Sequence, residues 1–230
     1  MHFYKHLIPL ILGIALLVSV VIYLTLPDVP VEEPEPVIPI EDILQQLYEE
    51  YETHITPKTH NITNLTKQIL PGTNFTDVQM SVLQDWISRN INHTGDFELR
   101  GPVETLKDAE GNHISLHLLE YSMILSKEPD IDAYLLLVDL KYLGDKEPRN
   151  HSAILVFFDD KVFLSDLTIR TKDLSYVCRI SLPVDVMFNI LDINYIEMYN
   201  IKYALKDNES ISFQSNSEFT AWMEQKTGGI

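Results

Sequence analysis

Residues 104–168 leave little freedom in fold class. After Gly111-Asn112-His113, the apolar residues Leu116, Leu119, Met123 and Ile124 recur at helical spacing, which predicts a helix from about Gly111 to Leu125. Ala133 to Leu140 is then apolar without interruption, as in a strand covered on both faces. Ser152 to Phe158 and Lys161 to Leu164 follow, joined at Asp159-Asp160, and read as a hairpin. A helix followed by consecutive strands linked this way predicts an α+β domain, with helices packed on an antiparallel sheet.

The flanking segments extend that picture. Ile43, Leu44, Leu47, Tyr48 and Tyr51 sit at helical spacing with an acidic opposite face, so an amphipathic helix opens the domain near Glu41. Thr53 to Thr66 is polar and reads as a loop with a short helix after it. Val78, Val82, Leu83, Trp86, Ile87 and Ile91 predict a second long helix, with Asn74 and Thr76 as candidate caps. Gly101-Pro102 reads as a breaker within a non-helical stretch from Gly95 to Lys107. Toward the carboxyl end, Val184 to Leu191 suggests a short helix and Tyr195 to Leu205 a long strand. A turn at Asp207-Asn208-Glu209 leads into Ile211-Ser212-Phe213, and Ser215 with Glu218 forms a capping-box pattern ahead of Trp222 and Met223. No repeat of solenoid period is present.

The amino terminus follows a different logic. Leu7 to Leu26 carries no charge, and at about 1.5 Å per helical residue this run spans a hydrocarbon core of about 30 Å. It reads as a transmembrane helix within residues 1–26, in preference to a signal peptide, since no small-x-small cleavage pattern follows it. Lys5 precedes it and Asp28, Glu32, Glu33 and Glu35 follow, which places the amino terminus inside and the domain outside the cell membrane. Residues 27–40 hold prolines at 27, 30, 34, 36 and 39 and read as a semi-rigid spacer, leaving 41–230 as the domain. Asn-x-Ser/Thr sequons at Asn61, Asn64, Asn74, Asn92, Asn150 and Asn208 fit an exterior domain, although a chain rich in Asn, Ser and Thr also makes them by chance. A formal charge of -17 disfavours nucleic acid as a partner. One cysteine, Cys178, excludes an internal disulfide framework and any multi-cysteine zinc pattern, and its neighbours suggest a strand.

Five segments carry a family likeness in their order. They are Leu83-Gln-Asp-Trp86-Ile-Ser-Arg-Asn90, Gly101-Pro-Val-Glu-Thr-Leu106, Gly111-Asn-His113-Ile-Ser-Leu-His117, Asn150-His151-Ser-Ala-Ile-Leu-Val156, and Leu164-Ser-Asp166-Leu-Thr168. Over roughly residues 78–168 they resemble the transglutaminase-like superfamily, which has a papain-like core. Its members show Pro-x-Glu-Thr-Leu, then Gly-Asp-Cys opening the core helix, His-Ala-Trp-Val on a strand and Asp-Pro-Thr ending the next. The resemblance implies that His151 takes the base position, Asp166 the orienting position and His113 the position of the nucleophilic cysteine. In such a site the thiolate is stabilised by the helix dipole and an adjacent imidazolium, and neither Asn112 nor His113 can form the thioester. The resemblance therefore implies the fold and argues against the thiol chemistry.

Three readings of the site follow. In the first, His113, His151 and Asp166 are remnants, and the domain is a non-catalytic binding or scaffolding module with a protein or peptide partner at the cell surface and no cofactor. In the second, His113 and His117, four apart on one helix, join His151 and Asp166 as ligands of a divalent metal, zinc foremost, or the triad serves a residual hydrolase. The third activates Ser115 or a water through His151, although Ser115 is expected to face away from it. Glu104 is expected to cap or brace the loop before the core helix, and Trp86 and Trp222 to pack in the core.

Overall fold

The computed structural model describes residues 39–54, 60–72, 75–95, 98–158, 161–170, 177–184, 196–206 and 209–228. The chain divides into Met1–Pro36 and Val37–Ile230, and every described residue lies in the second unit. The anchor at Leu7 to Leu26, most of the spacer and all but the first residue of the short helix expected at Val184 to Leu191 fall outside the described residues. Among those residues no helix is long and apolar enough to cross a membrane.

Six helices and eight strands are described. Helix α1 is Ile40–His54, one residue earlier than its acidic pattern suggests, because Ile40 is itself buried beside Ile43 and Leu47. Helix α2, His60–Ile69, occupies much of the segment expected to be a loop. Its threonines concealed it: Ile62 and Thr66 are buried, and the Thr66 hydroxyl donates to the Ile62 carbonyl at 2.8 Å, so a polar side chain is satisfied inside the helix. Helix α3, Asp77–Asn90, is capped as expected by Thr76, whose side chain accepts from the Gln79 N–H.

Helix α4, Pro102–Asp108, corrects the reading of Gly101-Pro102 as a breaker. Proline is at home in a first turn, where its missing N–H has no partner to lose. Glu104 reaches back to the Gly101 N–H at 3.3 Å, and the helix ends with Ala109 in the left-handed region at φ 55°. Helix α5, His113–Lys127, is the central element, with every residue from Ile114 to Leu125 buried. Strands β1, Asn92–His93, and β2, Glu110–Gly111, pair in parallel just before it.

The main sheet contains β3 Asp132–Tyr142, β4 Arg149–Phe158, β5 Lys161–Arg170, β6 Val177–Pro183, β7 Ile196–Lys206 and β8 Glu209–Ser212. Its order is β6-β5-β4-β3-β7-β8, with every pairing antiparallel. The expected hairpin is present, with Phe158 opposite Lys161 across the turn. Cys178 lies on β6 opposite Ile169, a strand position as expected. Alternation along β3 divides the core. Ala133, Leu135 and Leu137 join the cluster built with α5 and the other amino-terminal helices, while Tyr134, Leu136, Val138 and Leu140 join a second cluster. Helix α6, Asn216–Thr227, covers that second face through Phe219 and Met223, so helices lie on both sides of the sheet. Trp86 and Trp222 pack at the margins of the two clusters, half-buried.

Gly111 marks the tightest point of this packing. A β-carbon there would lie 2.9 Å from Ser115 Cβ and 3.2 Å from Thr105 Cγ2, closer than side chains tolerate. Gly111→Ala is expected to destabilise the domain by about 1–3 kcal/mol through overpacking, read as a lowered denaturant midpoint with an unchanged slope. An unaltered midpoint would contradict the close approach of α4 and α5.

Candidate functional site

The start of α5 is fixed by Asn112. Its Oδ1 accepts from the Ser115 N–H at 2.9 Å and its Nδ2 donates to the Glu98 carbonyl at 3.0 Å, so one amide caps the helix and ties down the preceding loop. His113 becomes the first helical residue. His117 and Glu120 follow at four and seven positions on, which puts all three on one face. That face meets β4 and β5.

Strand β5 breaks its pairing where it meets the helix. Asp166 is opposite Ile180 and Ile169 opposite Cys178, with a register shift between. Residues 167 and 168 therefore leave the ladder, and their N–H groups need other partners. The Leu167 N–H donates to His117 Nε2 at 3.0 Å, and the Thr168 N–H donates to Asp166 Oδ1 at 3.0 Å. The first bond determines a tautomer. Because His117 Nε2 accepts, its proton lies on Nδ1, which donates to Ser152 Oγ at 2.7 Å; Ser152 in turn donates to the His113 carbonyl at 3.3 Å. Burial drives the His117 pKa down to about 4, with Asp166 pulling up and His151 pushing down, so the ring is neutral as its bonds require.

Asp166 has no exposure, and its carboxylate is held by donors from three strands. His151 Nε2 on β4 donates to Oδ2 at 2.6 Å, and the Tyr199 hydroxyl on β7 donates to the same oxygen at 3.0 Å. Thr168 Oγ1 adds a contact to Oδ1 at 3.5 Å. Burial alone would raise the Asp166 pKa, but His151, His117 and the Thr168 N–H outweigh it and hold the group below the usual carboxylate range. Tyr199 is pushed well up by burial and by Asp166, so it remains a hydroxyl donor. With its Nε2–H committed to Asp166, a neutral His151 has Nδ1 as its basic atom.

His113 lies over this dyad. Its ring stacks on that of His151, with centroids 5.6 Å apart and planes 21° from parallel. Its Nε2 is buried with no hydrogen-bond partner among the described residues. Burial, then the imidazoles of His151, His117 and His93, lower its pKa well below the ordinary value, so the ring is uncharged at neutral pH.

The structure brings His113, His151 and Asp166 together. The metal set is not formed. Both ring nitrogens of His117 are engaged in hydrogen bonds, its Nε2 lies 3.8 Å from Asp166 Oδ1, and among the described residues no three His, Cys, Asp or Glu side chains are grouped to hold a metal ion. Ser115 faces elsewhere, as expected: its buried Oγ accepts from the Arg100 N–H at 2.9 Å. Sequence reasoning missed Tyr199, Ser152, Ser165, Gln84 and Glu120. Glu120 alone left a signal, as a carboxyl on the buried side of an apolar helix.

His117 gives the site an acid limit. The unfolded chain protonates this ring near pH 6.5 while the folded state resists until about pH 4, so stability is complete above that window and is lost as pH falls through it. The loss is about 3 kcal/mol from this residue. From pH 7 to 4 the thermal midpoint of His117→Gln should gain progressively on that of the wild type, whose folded state alone carries this penalty. Parallel midpoint profiles would contradict the neutral tautomer.

The chain matches no protein-family model and no curated protein sequence. Among solved structures, it is similar to LapG of Legionella pneumophila, at 12% identity over 84% of this chain and 98% of that one, with a TM-score of 0.43. It is similar to a protein from Cytophaga hutchinsonii described as a candidate cysteine protease, at 11% identity over 78% of this chain, with a TM-score of 0.43. It is also similar to one from Parabacteroides distasonis described as a candidate protease, at 17% identity over 60% of this chain, with a TM-score of 0.41. The chain spans 60% of the length of the Cytophaga protein and 30% of the Parabacteroides protein. Likenesses this loose do not carry an activity across.

Proposed function

We propose that this chain is a transglutaminase-like domain whose nucleophile position is taken by His113, and that it works as a non-catalytic binding module. The observation that carries the reading is the stack at the start of α5. The His151–Asp166 pair is bonded at 2.6 Å, yet the first helical residue above it is a neutral imidazole. A thiolate there would pair with an imidazolium; a second imidazole repels that charge and fills the space over the ring. Leu7 to Leu26 anchors the domain outside the membrane, residues 27–40 hold it off the bilayer, and its partner is a protein or peptide at the cell surface. The -17 charge weighs against nucleic acid.

A residual hydrolase using His113, His151 and Asp166 is the second reading. It is favoured by the buried Nε2 of His113, which has no hydrogen-bond partner among the described residues and lies beside the His151–Asp166 pair. One assay separates the two. Turnover of fluorogenic peptide and ester panels by the purified protein should equal that of His151→Ala. A wild-type rate ten-fold or more above the variant would favour the hydrolase.

A further inference from the structure

Behind the dyad, the stripe of α5 that carries His113 and His117 ends in a second carboxyl. Glu120 has no exposure. Ser165, the residue before Asp166 on β5, donates its hydroxyl to Glu120 Oε1 at 2.6 Å, and Gln84 of α3 donates its amide to that same hydroxyl. Glu120 Oε2 is buried with no hydrogen-bond partner among the described residues. The groups facing Glu120 are Gln84 from α3, which is neutral, and Ser165 and Asp166 from β5, of which only Asp166 carries charge. One turn back on its own helix, His117 is neutral. A charged Glu120 would therefore be opposed by the Asp166 carboxylate, and among the described residues no cation is placed to offset it, in the seam where α3, α5 and β5 meet.

We propose that Glu120, Ser165 and Gln84 form a proton-operated clasp beneath the dyad. With Glu120 neutral, α5 lies flush on β5 and Asp166 is held in register with His151. With Glu120 ionised, repulsion from Asp166 and the demand of a buried charge for water loosen that seam and weaken the hold on His151. The clasp acts whether or not the site above it is catalytic.

The direction of its pH response follows from linkage. Burial first, and Asp166 in addition, raise the Glu120 pKa to about 8, against the downward pull of the Ser165 and Gln84 hydrogen bonds. The folded state therefore keeps a proton that the unfolded chain releases above about pH 4.5, and stability falls as pH rises toward 8.

The test compares the full chain with Glu120→Gln from pH 6 to 10, following thermal midpoints and the histidine ring resonances by NMR. The expected result is a wild-type midpoint falling by roughly 5 °C or more across that range, a flat profile in E120Q, and a His151 ring inflection near pH 8 that E120Q lacks. Should E120Q fail to fold, Ser165→Ala removes a bond that favours the ionised form, and it must move the inflection upward. Superimposable profiles would overturn the clasp. So would a difference in midpoint with no change at His151, which would leave Glu120 a buried acid without coupling to the dyad.

Discussion

A buried carboxylate governs this domain. Asp166 lies within the sheet with no exposure, where an unpaired charge would cost several kcal/mol, and its surroundings supply donors from every direction. His151 comes from β4, Tyr199 from β7, and the Thr168 N–H and hydroxyl from the bulge of β5 itself. The bulge is the structural consequence. It frees two N–H groups from the ladder, one of which serves Asp166 while the other commits His117 to a single tautomer. The orientation of His117 and its bond to Ser152 follow from that break in pairing.

The same arrangement sets two opposed electrostatic demands on one helix. His117 must stay neutral to accept from Leu167, which penalises acid, while Glu120 must stay protonated to lie beside Asp166, which penalises base. A core with both is best satisfied between those limits. Three polar side chains at one-turn intervals along a buried helix are costly, and packing alone would favour leucines there. The hydrogen bonds of His117 and Glu120 to β4 and β5 specify how α5 sits on the sheet, beyond what apolar contact would fix.

Much of this was legible in the sequence wherever a single period dominates. The helices at Ile43 to Leu47 and Val78 to Ile91, the apolar run of β3, the hairpin at Asp159-Asp160 and the strand before Leu205 each carry one pattern. The elements missed were those in which local chemistry competes with pattern. In α2, threonine back-bonding makes a helix read as a polar loop, and in α4 proline starts a helix instead of ending one. His113, His151 and Asp166 could be named through the family resemblance, by the order of its motifs along the chain. Tyr199 could not, since it comes from a strand 33 residues beyond Asp166, and only the sheet order brings it near. The fate of His117 was equally hidden: helical spacing puts it beside His113, but the bulge that claims its lone pair has no signature in sequence.

The proposed reading puts His113 in the place of a nucleophile above a hydrogen-bonded His–Asp pair. His113→Cys tests this directly, through the pH dependence of alkylation by iodoacetamide in a Cys178→Ser background. The expected result is a thiol at position 113 that reacts with an inflection well below the ordinary cysteine value of about 8.5, and that loses this advantage when His151 is also changed to Ala. A thiol at 113 that titrates ordinarily, or keeps its reactivity without His151, would contradict the account.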